Sequence, residues 1–360
     1  MLCPTRPGTD DHAALTWFWR VNSNLETCAL MPSSSMTPLR AAESDTLAEI
    51  FPEQHALMRA LVAKASRLGP VPSAIVWPCS SHALGGAVEA ARHGIIVPIL
   101  VGDREEIERT AAKAGFDIKG LRIEHAASPE GAVKHAITLV HEGEALGLTK
   151  GSLHTDTFMA GVIRQESGLR TKRRMSHVFC LAVPDYPDLL LVSDAAINIA
   201  PDLMTKRDIV QNAIDLHHAL GLGTPRVALL SAVETINTKI QGTLDAASLC
   251  KMADRKEITG GVLDGPLALD VAVSRESAEI KGVESPVAGR AQILIAPDLE
   301  SGNILVKTLA FLGKAATSGI VMGAKVPVLL TSRADDATAR LASAAIGALY
   351  ARHLEQNTRD

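Results

Sequence analysis

The chain has no long apolar run, no cysteine cluster and no large excess of charge, and each absence removes a class of function. No stretch reaches the about 18 consecutive apolar residues of a transmembrane helix, so none is expected. The five cysteines (Cys3, Cys28, Cys79, Cys180, Cys250) form neither a CxxC pair nor a Cys/His cluster. That spacing argues against a structural zinc site and for a reduced, cytoplasmic setting. A net charge of −4 gives no general attraction to nucleic acid or to a membrane surface. Any anionic ligand must therefore be met by a local basic site. A basic leader followed by an unbroken apolar core, the mark of a secretory signal, is missing as well. No GxGxxG follows the first strand, which removes the dinucleotide fingerprint.

What is present is globular: 47% hydrophobic and 21% charged residues in 360. That length exceeds one ordinary core, so two domains or one large α/β domain are expected. Residues 1–45 look unlike the rest, with Trp17, Trp19, a Pro7-Gly8 pair and the polar run Ser33-Ser34-Ser35. They read as a poorly ordered extension or a short docking arm, with Met36 an alternative start. From Leu47 to Leu68 the apolar spacing predicts a helix. Strands are expected at Ser73–Trp77, Ile95–Val101 and Leu121–Glu124, alternating with helices at Ser81–His93, Arg104–Ala114 and Pro129–His141. Near-continuous apolar strands between helices predict a parallel sheet covered on both faces.

The rhythm breaks at KGSLHTD (150–156), a polar stretch before a helical segment at Thr157–Gln165. Loops at strand ends carry ligands in open α/β sheets, which makes His154 and Thr155 candidate substrate-binding residues. A lone His beside Thr and Asp also reads as an ordinary loop residue. Arg170, Lys172, Arg173 and Arg174 form a basic run, either a solvated turn or an attraction for a polyphosphate. The alternation resumes with strands at Val178–Val183, Leu189–Val192 and Arg226–Leu230 and a helix at Thr205–Leu220. His217 and His218 sit in that helix's last turn, where basic groups favour the dipole, and are read as structural. Asp194 and Asn198 follow a strand end and are again ligand-facing. Strands at Gly261–Leu263 and Gln292–Ile295 end at Asp264-Gly265-Pro266, read as a turn, and at Pro297-Asp298. Asn303 and Lys307 share one face of the helix after Asp298.

Gly319–Asp336 (GIVMGAKVPVLLTSRADD) organises the chain. Two short apolar runs meet at Gly323, and Thr331, Ser332 and Arg333 then read as the opening of a helix. Unpaired N–H groups, the helix dipole and a guanidinium fork together build an anion site. The same residues also read as a capping box, with Ser332 the cap and Asp335 its partner.

Taken together, KGSLHT (150–155), SDAAINIAPDL (193–203), SAVETINTKIQGTLDAA (231–247), KMADR (251–255), GGVLDGPLALDVAVS (260–274), SPVAGRAQILIAPDLESGNILVKTL (285–309), GAKVPVLLTSRADD (323–336) and GAVEAARHGIIVPILVG (86–102) resemble the phosphate acetyltransferase / phosphate butyryltransferase family. The resemblance covers roughly residues 70–350, and SAVETIN and LTSRADD look more like the butyryl branch. It implies an α/β fold of two three-layer domains around a cleft, similar to isocitrate and isopropylmalate dehydrogenases. The first domain would be 46–170 plus 318–360 and the second 171–317. It also implies reversible acyl transfer between an acyl phosphate and coenzyme A, without a covalent acyl-enzyme. Coenzyme A would be a co-substrate, with no bound cofactor and no metal, and the family's habit implies a homodimer.

On this resemblance Ser332 donates to the reacting carbonyl, Arg333 with Thr331 holds phosphate, and Asp194, Asn198, Asp298 and Asn303 belong to the substrate-binding set. The acetyl-type carboxylate proposed to deprotonate the thiol falls at Ala339, so either Asp335 substitutes or no carboxylate base is needed. An arginine of acetyl-type enzymes falls at Gly161. Two other readings stand beside this one. A metal- and nicotinamide-dependent decarboxylase would need a cluster of aspartates, whereas Asp194, Asp264 and Asp298 are dispersed. A non-catalytic acyl-CoA-binding protein is argued against by the retained Ser332 and Arg333.

Overall fold

The structure is a computed structural model that describes residues 44–331 and 335–357. The expectation for the N-terminal extension therefore lies almost wholly outside the described residues. The helix predicted at Leu47–Leu68 is two: α1 (Ser44–Ile50), then a 3-10 turn at Glu53–His55 and α2 (Ala56–Arg67). Pro52 lies at the break, where its missing N–H and its ring forbid helix continuation.

The alternation that follows is β1 (Val71–Val76), α3 (Ser81–Arg92), β2 (Ile96–Gly102), α4 (Arg104–Ala114), β3 (Arg122–His125), α5 (Pro129–His141), β4 (Leu148–Lys150) and α6 (Thr155–Ile163). Local chemistry sets these bounds. Ser80, Asp103 and Ser128 each accept a first-turn N–H of the helix that follows, and α4 ends on Gly115 at φ 72°.

The second half contains β5 (Ser176–Ala182), β6 (Leu190–Ser193), α7 (Leu203–Ala219), β7 (Arg226–Leu230), α8 (Gln241–Asp254), β8 (Val262–Leu267), α9 (Leu269–Val273), α10 (Arg275–Ile280), β9 (Ile293–Ile295) and α11 (Leu299–Lys307). After a π-helical turn come β10 (Ala316–Met322), β11 (Val328–Leu329) and α12 (Ala337–Asn357). Asp264-Gly265-Pro266, expected to be a turn, lies inside β8. That strand is at the sheet edge, where a residue without an N–H is tolerated, and its register shifts there.

Among the described residues the strands form one sheet in the order β3-β2-β1-β4-β11-β10-β5-β6-β9-β7-β8. The expected parallel pairing holds for β1, β2, β3 and β4, while the sheet as a whole is mixed. β10 runs antiparallel to β5 from Ala316↔Ala182 to Met322↔Ser176, and antiparallel to β11 at Val321↔Val328. β5 and β6 are also antiparallel. The links 323–327 and 183–189 are too short for a parallel crossover, so the chain must reverse. Gly323 makes one reversal, at φ +86°, where a Cβ would stand 2.7 Å from the Arg174 carbonyl oxygen.

The faces of this sheet differ. One carries a continuous apolar core that runs from Val71 and Ile75 through Val178, Ile320 and Ile293 under α2, α3, α7, α8 and α12. The other carries two separate cores. Val76, Val321 and Val328 pack with α5 and α6, and Leu181, Val192 and Leu294 pack with α9. On the same face of β10 and β5 lie Gly319 and His177, with Phe179 packed against the second core. A break in the core at mid-sheet is where polar groups can gather.

Candidate active site

The first group stands at the end of β4. Gly151 and Ser152 donate their N–H groups to the carbonyls of Val76 and Trp77, both at 2.8 Å. A Cβ at residue 151 would lie 2.4 Å from Val76 O, so only glycine fits. This turn delivers His154 and Thr155, both exposed, to the head of α6, two residues earlier than the sequence predicts. Lys150 is 4% exposed, and its Nζ donates to the carbonyls of Gly151 and Leu153 at 3.3 Å.

β11 ends beside β4. The buried Thr331 hydroxyl donates to the Lys150 carbonyl at 2.9 Å and accepts from Arg340 Nη1 at 2.9 Å. Ser332 and Arg333 lie outside the described residues. The expected capping box is not how α12 begins. Its first residue is Ala337, and Asp336 Oδ1 accepts the Ala339 N–H at 2.8 Å. Asp336, three residues before Ala339, has the better cap spacing. Asp335 is half-buried, and its carbonyl accepts from Arg340 Nε at 3.3 Å.

Sequence reasoning missed Arg340, although a lone cation among Ala339, Leu341 and Ala342 was the available signal. The side chain is 9% exposed and lies across α3 where Gly86 leaves room, a Cβ there falling 2.9 Å from Arg340 Cδ. Burial pushes its pKa down, while the carboxylates of Asp335 and Asp336 push it back up.

The second group is at the end of β6. Asp194 is buried and accepts from the N–H groups of Ala196 (2.9 Å), Ile197 (3.2 Å) and Asn198 (3.1 Å), and from Asn198 Nδ2 (2.6 Å). Asn198 Nδ2 also reaches Met175 O at 2.9 Å, and Asn303 Nδ2 reaches Ala195 O at 3.1 Å. The structure thus brings Asp194, Asn198 and Asn303 together as a lock on loop 194–198. Asp298 stands apart as the cap of α11, accepting from the Ser301 N–H at 2.8 Å. Ile197 of that loop packs against the core that holds Leu153, Val321 and Val328, which ties the second group to the first.

His177 was also missed in the sequence. It is 1% exposed, its ring centroid is 4.3 Å from that of Phe179, and its Nδ1 has no hydrogen-bond partner. Burial pushes the imidazole down to about 4 against the opposing pull of Asp194, so it is neutral at pH 7. In the basic run the Arg173 guanidinium pairs with Asp215, while the backbone of Arg170 bridges to Ala324 and the Arg174 N–H binds Asp208 Oδ2 at 2.9 Å; all four side chains are exposed. His217 and His218 bind the carbonyls of Gly223 and Gly260, in line with a structural role. A cavity of about 770 Å³ lies between α5 and α6, but none of the sequence-predicted site residues line it. Gly161 belongs to that contact: a Cβ would meet Val133 Cγ1 at 2.3 Å, so the position faces α5. Among the described residues no cluster of His, Cys, Asp and Glu is arranged to hold a metal, and no helix is long and apolar enough to cross a membrane.

Residues 128–348, which contain both groups, match the family model described as phosphate acetyl/butaryl transferase. The chain belongs to this family. A phosphate acetyltransferase of Rhizobium meliloti is 53% identical over 301 residues, covering 84% of this chain and 95% of that protein. A phosphate butyryltransferase of Clostridium acetobutylicum is 44% identical, covering 73% and 87%. The crystal structure of a branched-chain phosphotransacylase from Enterococcus faecalis V583 superposes with a TM-score of 0.69 at 30% identity, over 78% of this chain and 99% of that one. The large mixed α/β sheet is therefore the phosphotransacylase architecture.

Proposed function

We propose that this protein is a phosphate acyltransferase that moves a short acyl group, acetyl to butyryl, reversibly between coenzyme A and inorganic phosphate. The observation that carries the reading is the Thr331 junction. One hydroxyl ties β4, β11 and α12 together directly before Ser332 and Arg333, at strand ends where α/β folds place ligands. Thiol attack on an acyl phosphate needs a thiolate, a donor to the oxyanion and a cation on the departing phosphate. Ser332 is the donor and Arg333, with Thr331 behind it, the phosphate grip. Asp335 is the first carboxylate after this pair in the sequence and the candidate base. His154 and Thr155 at the head of α6 border the substrate, with Asp194, Asn198 and Asn303 fixing the facing loop and Asp298 fixing α11. The reaction runs in a ternary complex with coenzyme A as co-substrate and no resident cofactor.

The two cores on one face of the sheet support a division into lobes, 46–170 with 318–360 and 171–317, around an isocitrate dehydrogenase-like cleft. The working form in this reading is a cytoplasmic homodimer. Relatives of both names align at high identity, so chain length belongs to the test. That test is phosphate-dependent release of free thiol from acetyl-, propionyl- and butyryl-CoA, run side by side. Turnover of at least one is expected, and release from none removes the reading. Turnover of acetyl-CoA equal to or better than butyryl-CoA reverses the butyryl-branch assignment drawn from the motifs. The dehydrogenase alternative is not favoured, because the matching family model and the similar relatives are phosphate acyltransferases.

A further inference from the structure

Helix α11 is apolar on two opposite sides. Inward, Gly302 and Val306 are buried, and Leu305 and Leu309 pack into the core that holds Leu181, Val192 and Leu294. Half a turn round the helix, Glu300, Ile304 and Lys307 recur at i, i+4 and i+7, all exposed. The π-helical turn Thr308–Leu312 continues the helix and carries Phe311 and Leu312 into solvent. Ile304 is 66% exposed, Phe311 73% and Leu312 80%. Ile199, 75% exposed, stands at the head of the same ridge, its carbonyl accepting the Leu299 N–H at 3.1 Å. Among the described residues neither Glu300 nor Lys307 has an ion pair or a side-chain hydrogen bond. Large apolar side chains this open mark a surface that another molecule covers. A helix ridge is convex, so it suits a protein surface and not a small ligand, which needs a concave site.

We propose that a second copy of this chain docks on this ridge, the two α11 helices crossing antiparallel about a two-fold axis at Ile304. The inference rests on the homodimer of the preceding reading and gives it a face. Charge selects both the partner and the direction. A two-fold contact is isologous, so a residue that faces another across the axis is faced by it in return. In the antiparallel crossing Glu300 meets Lys307 of the partner subunit, twice over, and Ile304 meets its own copy. Phe311 then reaches the head of the partner's helix, where Ile199 of the partner subunit is exposed. Parallel alignment would set Glu300 on Glu300 and Lys307 on Lys307, and like charges repel. With one acid and one base, the ridge has no cationic excess for a lipid surface. From Leu299 to Leu312 the ridge is roughly 20 Å long. That length suits the centre of an interface of standard size, about 800 Å² per partner.

The test is the mass of the full-length protein in solution, by light scattering over a dilution series. The wild type is expected at twice the mass of one chain. Phe311→Glu should raise the dimer dissociation constant at least about tenfold. Its circular dichroism should stay that of the wild type, because the side chain is already in water. Glu300→Lys or Lys307→Glu alone should raise the constant about three- to tenfold, and the two together should restore it to within about twofold. Only a self-complementary seam behaves in that way. Ile304→Cys, at the axis, should give a disulfide-linked dimer on oxidation that the wild type does not give. A monomeric wild type overturns the inference together with the homodimer. A dimer that Phe311→Glu leaves intact, a charge exchange that restores nothing, or Ile304→Cys that does not cross-link overturns the inference alone, with the homodimer then formed by another face. Acyl transfer is measured on the same samples, and a dimer of the expected behaviour without turnover supports the seam while removing the functional reading.

Discussion

The ring of His177 occupies the space that a side chain at residue 319 would take: a Cβ there would stand 2.5 Å from His177 Cε1 and 2.8 Å from Nε2. Gly319→Ala should therefore destabilise the fold by about 2–3 kcal/mol, because a fully buried ring flanked by Phe179 has nowhere to move. Removing the ring as well, in Gly319→Ala/His177→Ala, should recover part of that loss. Urea midpoints for the double-mutant cycle check it, and purely additive effects would contradict the contact.

His177 should also write itself into the acid limb of stability. Its value is about 4 in the folded chain, against an ordinary value of 6.5. Above pH 6.5 both states are neutral and the residue adds no slope. As pH falls from 6.5 toward 4 the unfolded chain takes a proton that the folded chain refuses. Stability then drops, by up to about 3 kcal/mol. Unfolding of His177→Gln across this window should have a shallower slope than the wild type; parallel slopes would refute a neutral buried imidazole.

Thr331→Val keeps the shape of the junction and deletes both hydrogen bonds. The Lys150 carbonyl and Arg340 Nη1 each lose a partner in a dry place, so the expected cost is about 2–3 kcal/mol of stability. If the junction also positions Ser332 and Arg333, kcat should fall by more than tenfold well below the melting temperature. A stable variant with wild-type kcat would confine Thr331 to a structural role.

Arg333→Ala should raise the KM for phosphate or lower kcat while leaving coenzyme A binding close to normal. The loss of a charge-assisted contact corresponds to about 2–3 kcal/mol, or roughly 30- to 150-fold in kcat/KM. Arg333→Lys should recover only part, since a point charge does not reproduce the bidentate fork. Full recovery by lysine would mean that charge alone matters there.

The two aspartates before α12 should separate cleanly. Asp336→Ala removes the cap on the Ala339 N–H and should cost about 1 kcal/mol with little change in rate. Asp335→Asn should leave kcat at pH 7 within about threefold if no carboxylate base is needed. A larger loss at pH 7 that shrinks toward pH ~8.5 would instead make Asp335 the thiol base.

The sequence by itself determined the elements of this fold and the neighbourhood of its chemistry. Apolar spacing and side-chain caps are local, so α4, α5 and β7 appear where the pattern puts them. The motifs around 150–155 and 323–336 fall at strand ends on adjacent strands. Tertiary structure alone decided the rest. That β10 returns antiparallel against β5 depends on which distant strands find each other, and no window of local sequence contains both. The same pairing sets His177 under Gly319 and splits one face of the core in two. Arg340 looked like one charge in an alanine-rich helix until α3 offered Gly86 and β11 offered Thr331. Asp194, Asn198 and Asn303 carried ligand-like chemistry in the sequence, but the fold supplies donors and acceptors for them within the chain, because a buried carboxylate or amide must be satisfied wherever it lands.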